Sequence, residues 1–127
     1  MFHSRIFLFL FFSFNMFGNV PIAKTPIPSR KAILKLTALA ADNLSESKFE
    51  QSLANSRLAL HYAISGNDDC LIAESYNTIA ANYEELSEVD KAIYYYKKGL
   101  VYANKTTNDT IKNALNNNLG NMYCFEK

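Results

Sequence analysis

The 127-residue sequence is poor in the residues on which many folds and activities depend. It has no tryptophan, two cysteines, two histidines, four glycines and three prolines. So few glycines and prolines disfavour an all-β fold, which is rich in tight turns. The charges almost cancel, since 13 basic and 12 acidic residues leave a formal net charge of +1. The chain therefore has little long-range field to concentrate nucleic acid or an anionic membrane, and we expect no nucleic-acid partner.

Residues with catalytic or metal-binding chemistry are also scarce. Beyond the N-terminal segment the only histidine is His61, which falls in a helical pattern, where a single histidine more often packs or faces solvent than catalyses. The sequence has no paired His/Glu spacing, no glycine-rich phosphate loop and no Ser/His/Asp set. We therefore expect no enzyme activity, no catalytic residue, no cofactor and no metal site.

The two cysteines, Cys70 and Cys124, lie far apart in the chain and match neither a metal spacing nor a dithiol motif. An oxidising compartment would allow them to form a disulfide. Two buried free thiols are the commoner outcome, and the sequence leaves both alternatives open.

The N-terminal segment is where phenylalanine is concentrated, with seven of the nine between residues 2 and 17. A short basic start is followed by an apolar run over residues 6–17, which is the order of a secretory signal peptide. That run is shorter than the roughly 20 apolar residues of a membrane-spanning helix. We predict a signal peptide over residues 1–23 and a periplasmic or secreted protein, with an uncleaved inner-membrane anchor as the alternative. Residues 24–29 contain two prolines and are predicted to be an extended linker.

The rest of the chain repeats with a period of 40 residues. Identical residues coincide in pairs when the chain is shifted by that distance: Ala40 and Ala80, Ser47 and Ser87, Leu60 and Leu100, Tyr62 and Tyr102, Asn77 and Asn117, Tyr83 and Tyr123. Each copy carries apolar residues at helical spacing. Five helices are predicted. They lie over about 30–43, from a capping box of Ser47 and Glu50 to about Ile64, across Tyr76 to Tyr83, after a cap at Ser87, and over about 110–125.

The middle copy has the pattern Tyr76-x-x-Ile79-Ala80-x-x-Tyr83, followed by Ala92, Tyr96 and Gly99-Leu100, and the third has Leu119-Gly120-x-x-Tyr123. This pattern resembles the tetratricopeptide repeat. The lengthened period is similar to that in exported sensor regions of bacterial histidine kinases and related regulators. The resemblance implies an all-α fold over residues 30–127, an α-solenoid of antiparallel helix pairs with about two and a half repeats. A generic helical bundle is the alternative.

In that family the first helices of successive repeats line a concave groove that receives a peptide. The resemblance places Glu74, Asn77 and Glu84 of the middle copy and Asn117 and Asn121 of the third in such a groove. Asparagine can both donate to and accept from a peptide backbone. The basic pairs with which some members bind a C-terminal carboxylate are missing, and the two glutamates would repel one. The alternative is that these residues are merely solvated.

The function that the sequence favours is an exported protein–protein interaction module that binds a peptide or protein partner. The alternative is the sensory input fragment of a histidine kinase or transcriptional regulator whose output domain is absent here. Contact with a membrane is expected only through an uncleaved N-terminal segment. The chain has no basic excess to support base stacking on Tyr94, Tyr95 and Tyr96, of which Tyr96 is predicted to be core.

The last helix is predicted to present an uncovered apolar side. Its inward stripe is Leu115, Leu119, Met122 and Tyr123, and its end offers Met122, Cys124 and Phe125 where repeat arrays normally carry a polar cap. We therefore expect self-association through this helix, or a longer parent protein.

Overall fold

The computed structural model describes residues 25–125, and the predicted signal peptide lies outside them. Residues 25–29 are not helical and lead into five helices. These are α1 (Arg30–Ser45), α2 (Phe49–Ser65), α3 (Asp69–Glu85), α4 (Val89–Ala103) and α5 (Asp109–Phe125). Helix accounts for 81% of the described part, which has no strand, and this confirms the all-α prediction. None of the helices described is long and apolar enough to cross a membrane.

Three of the helices are capped at the N-terminus by the side chain of the residue that precedes the helix. The Ser29 hydroxyl accepts a hydrogen bond from the Ala32 amide at 3.3 Å, and the Asp68 carboxylate accepts one from the Leu71 amide at 3.0 Å. Asn108 does the same for α5, because its Oδ1 accepts from the amide of Ile111. Such caps satisfy backbone donors that the first helical turn leaves without a partner.

The predicted capping box at Ser47 is wrong, because Ser47 ends α1 instead of starting α2. Its φ is +59°, its amide donates to the Leu44 carbonyl, and the Lys48 amide donates to the Asn43 carbonyl. This pair of bonds is the Schellman ending of a helix, in which a left-handed residue closes the last turn. Asn67 and Ser87 close α2 and α3 in the same way, so the predicted cap at Ser87 is wrong as well.

Helix α3 is the centre of the molecule. It contacts each of the other four helices and has nine buried residues. Each helix also packs against the next one in the chain, and α1 and α5 both reach α3. Burial follows the 40-residue period, since residues one period apart are buried together. These pairs are Ala40 and Ala80, Ser52 and Ala92, Ser56 and Tyr96, Ala59 and Gly99, and Ala63 and Ala103.

The two buried serines of α2 are accommodated by hydrogen bonds. Ser52 donates to the Ala40 carbonyl at 2.7 Å and accepts from Asn82 Nδ2 at 2.8 Å, so that one hydroxyl joins α1, α2 and α3. Ser56 donates to the backbone carbonyl of Ser52 within α2. A buried polar group is tolerated when it is hydrogen-bonded, which explains serine at positions that hold alanine and tyrosine one period later.

The C-terminal helix is only partly covered. Leu115 and Met122 are fully buried against α3 and α4, so the expectation that Met122 is an uncovered residue is wrong. Tyr123 is 40% exposed and Phe125 is 75% exposed. A Cβ added at Gly120 would meet nothing within 4 Å, although Ala80, one period earlier, is completely buried. Self-association through this side of α5 stays a prediction.

Gly99 and Gly120 give a matched test of the packing. An added Cβ at Gly99 would lie 2.9 Å from Leu115 Cδ2, 3.2 Å from Tyr76 Cβ and 3.3 Å from the Ala73 carbonyl oxygen. We expect G99A to lower the free energy of unfolding by about 1–3 kcal/mol through overpacking. G120A should raise it by about 0.5–1 kcal/mol, because alanine favours helix and the space is open. Urea unfolding followed by circular dichroism measures both, and a stabilising G99A would contradict the described packing.

Candidate functional site

The five residues predicted to line a groove lie on two helices that touch. Glu74, Asn77 and Glu84 are half-buried on α3, whereas Asn117 and Asn121 are exposed on α5. The contact between the helices includes a hydrogen bond at 3.0 Å, donated by Asn118 Nδ2 to Asn77 Oδ1. The structure therefore brings the amide-bearing sides of α3 and α5 next to each other.

Asn77 is partly engaged within the protein. Its carbonyl oxygen accepts from Asn118, which leaves the NH₂ end of the side chain to donate to a bound molecule. Asn118 was not among the predicted residues, although it stands beside Asn117 in the sequence. The signal that could have identified it is helical spacing, because residues 114, 118 and 121 share one side of α5.

Glu84 has a structural role that the sequence did not indicate. Its Oε2 accepts a hydrogen bond at 2.5 Å from the hydroxyl of Tyr96, which is 1% exposed. Burial, followed by this hydrogen bond and the charge of Glu84, raises the pKa of Tyr96 well above its ordinary value. The phenol therefore stays protonated and donates, and the half-buried carboxylate keeps its second oxygen for other contacts.

Glu74 belongs to a chain of polar side chains at the end of α3 nearest the α4–α5 connection. Asn108 Nδ2 donates to the Cys70 sulfur at 3.2 Å, and Cys70 donates to Glu74 Oε1 at 3.7 Å. Burial is the main cause that raises the pKa of both the Cys70 thiol and the Glu74 carboxyl. Nearby, Arg30 Nε donates to Asp68 at 2.8 Å, which ties α1 to the start of α3.

Neither cysteine is in a disulfide. Cys70 is half-buried and Cys124 is exposed, so the expectation of two buried thiols is wrong for Cys124. His61 is exposed on α2, and its ring lies 5.5 Å from that of Tyr62. Within residues 25–125, no three His, Cys, Asp or Glu side chains are grouped so that they could hold a metal ion.

The chain matches no protein-family model, no curated protein and no solved structure.

The bond between Glu84 and Tyr96 is expected to stabilise the fold. E84A leaves a buried phenol hydroxyl without its acceptor and should lower the free energy of unfolding by about 1–3 kcal/mol. The matched control is E85A, which removes an exposed neighbouring glutamate and should change stability by less than about 0.5 kcal/mol. Urea unfolding of both variants measures the difference.

A double variant separates the bond from other effects of the substitution. Y96F removes the hydroxyl itself. Adding E84A to Y96F should therefore lower the free energy of unfolding by less than E84A does in the wild-type protein. If E84A lowers the free energy of unfolding equally with and without the Tyr96 hydroxyl, the assigned role of Glu84 is contradicted.

Proposed function

We propose that this chain is an exported protein-interaction module, an α-solenoid of tetratricopeptide-like repeats that binds a peptide or partner protein. The binding surface is the side formed by α1, α3 and α5. The observation that carries the proposal is the contact between α3 and α5 through Asn77 and Asn118, which aligns the first helices of two successive repeats. Exposed Asn117 and Asn121 continue the same amide-rich helix.

The order of helix contacts supports the solenoid. Helices α1 and α3 touch, as do α3 and α5, whereas α2 reaches the next repeat through α3 and α4 reaches it through α5. Contacts of each repeat with only its neighbours are the property that defines a repeat array. Helices α3 and α4 also run in opposite directions, because Tyr83 lies beside Tyr95 and Tyr76 lies beside Tyr102.

The chemistry of the surface supports a peptide backbone as the ligand. Residues 113–125 of α5 carry no charged side chain, and three successive asparagines are followed by Asn121. Primary amides can pair with both the N–H and the C=O groups of an extended chain. The half-buried Glu74 and Glu84 add acceptors on α3 and disfavour a partner that presents its C-terminal carboxylate there.

A peptide selected from a random library on the purified protein tests the proposed surface. N117A/N121A should weaken its binding about 5- to 140-fold if each asparagine makes one hydrogen bond, because each lost bond is worth about 0.5–1.5 kcal/mol. N104A/N116A removes two exposed asparagines outside this surface, one at the end of α4 and one on another side of α5, and should change affinity less than twofold. Fluorescence anisotropy measures the affinities, and circular dichroism checks that helicity is kept.

The control decides between the proposed surface and a general effect on α5. Equal weakening by the two double variants, or no weakening by either, would place the peptide elsewhere. N77A is then informative only with a stability measurement, since it also removes the acceptor of Asn118.

The proposed export has its own test. Residues 1–30 fused to a reporter that is active only outside the cytoplasm should give activity in a bacterial host, because a basic start and a short apolar run direct secretion. A fusion of residues 24–30 alone is the control and should be inactive. An inactive 1–30 fusion would remove the signal-peptide interpretation.

A further inference from the structure

A continuous row of tyrosine rings runs along the junction of α3 and α4. In order, the rings are Tyr102, Tyr76, Tyr95 and Tyr83, with successive centroids 5.9, 6.1 and 5.4 Å apart. Tyr76 and Tyr83 form the buried floor of the row, whereas Tyr95 and Tyr102 are partly exposed. Tyr94 meets the edge of Tyr95 at 5.0 Å and is 52% exposed.

Three lysines lie over these rings at regular intervals. Lys105 Nζ is 4.5 Å from the Tyr102 centroid, Lys98 Nζ is 5.0 Å from that of Tyr94, and Lys91 Nζ is 5.2 Å from that of Tyr83. Ammonium groups at these distances are attracted to the ring faces. All three lysines are exposed. We call the four stacked tyrosines and these three lysines the tyrosine–lysine stripe.

The charge on the stripe is positive although the whole chain is nearly neutral. From Lys91 to Lys105 the sequence contains four lysines and no acidic residue. Helix α2 adds a further cation, because Arg57 Nη2 donates to the Tyr83 hydroxyl at 2.9 Å. Glu88, which pairs with Lys91, is the carboxylate at one end of the stripe. The neighbouring side chain of Tyr94 is the main cause that raises the pKa of Lys98.

The geometry points to the tyrosine–lysine stripe as a binding surface for an acidic peptide segment in the polyproline II conformation with a carboxylate at every third residue. Lysines seven residues apart along a helix are separated by about 10.5 Å at 1.5 Å per residue. Three residues of a polyproline II segment span about 9 Å and complete one turn, so that every third side chain lies on the same face. From Lys91 to Lys105, which is two residues beyond the end of α4, the stripe is about 20 Å long and corresponds to a segment of about seven residues.

The stacking within the stripe favours a peptide over single-stranded nucleic acid. Bases bind aromatic side chains through open ring faces. Here the faces of Tyr76 and Tyr83 are covered by other tyrosines and by lysines, so charge and hydroxyl groups remain to make contacts. The stripe also lies beside Arg57 of α2, whereas the Asn77–Asn118 bond joins α3 to α5, so this inference does not rest on the proposed amide surface.

Fluorescence anisotropy with defined peptides tests this surface on the purified protein. The probe is a labelled seven-residue peptide with glutamate at its first, fourth and seventh positions and proline elsewhere, which favours polyproline II, in about 20 mM salt to limit screening. Its isomer with three adjacent glutamates has the same charge and should bind at least about threefold more weakly. An exposed ion pair is worth about two- to fivefold in affinity. K91Q/K98Q/K105Q should therefore weaken the spaced peptide at least about tenfold.

Two further variants test whether a loss of affinity comes from the charges at the stripe and not from the net charge of the protein or from misfolding. K31Q/K35Q/K48Q removes three exposed lysines elsewhere and should change affinity less than twofold. K91R/K98R/K105R keeps the charges and the ring contacts and should retain binding. If the glutamine triple variant loses helicity, K98Q and K105Q singly should each weaken binding about two- to fivefold. N117A/N121A should leave this peptide's affinity unchanged.

Three results would overturn the inference. They are no binding of the spaced peptide, equal affinity for the two isomers, and equal loss in the two glutamine triple variants. Oligothymidylate or phosphatidylserine vesicles are tested in parallel. If either binds more tightly than the peptide and is lost in K91Q/K98Q/K105Q, the stripe is a nucleic-acid or membrane surface instead.

Discussion

The close approach of α3, α4 and α5 at Gly99 is the constraint on which the rest of the structure depends. Leu115 of α5 and Tyr76 and Ala73 of α3 all come within side-chain contact of the position where a larger residue would carry its Cβ. Only a residue without a side chain lets the three helices meet there without displacing a neighbour. That contact fixes α5 beside α3, so that Asn118 reaches Asn77. It also fixes Tyr76 beneath α4, where it forms the middle of the row of tyrosine rings.

Polar groups hold the helices in register where apolar packing alone would allow them to slide. The Ser52 hydroxyl joins three helices, and the Tyr96 phenol reaches Glu84 from inside the core. Such directional bonds have partners at one arrangement of the helices and are lost at others, and a buried donor without a partner is costly. The same side chains therefore serve the fold and set which polar atoms remain for a ligand. Glu84 is shared in this way, and so is Asn77.

The chain presents two surfaces of different character. The side of α3 and α5 that carries Asn77, Asn117 and Asn121 is rich in amides. The junction of α3 and α4 carries Lys91 and Lys98 above stacked tyrosines, with Arg57 of α2 close by. Near-neutral net charge hides this asymmetry, because it sums acidic and basic residues without regard to where the helices place them.

The sequence by itself determined the fold class and the number of helices, because the 3.6-residue spacing of apolar residues is a local property of each segment. The 40-residue period of the sequence is also a period of burial, since Ala40 and Ala80 are both completely buried. The sequence did not determine where the helices end, since a serine such as Ser47 or Ser87 can either start one helix or close the one before. The fold resolved this by giving both residues a positive φ.

Contacts between helices were decided only by the tertiary structure. No local pattern indicates that Asn118 meets Asn77, or that Glu84 accepts from Tyr96, because these pairs depend on crossing geometry set at Gly99. The chain of Asn108, Cys70 and Glu74 likewise joins a connection to a helix that is distant in sequence. Lysines seven residues apart were visible in the sequence, but the rings beneath them come from two helices. The lysines lie over the rings because α3 and α4 pack together, and the spacing of residues within one helix does not predict that packing.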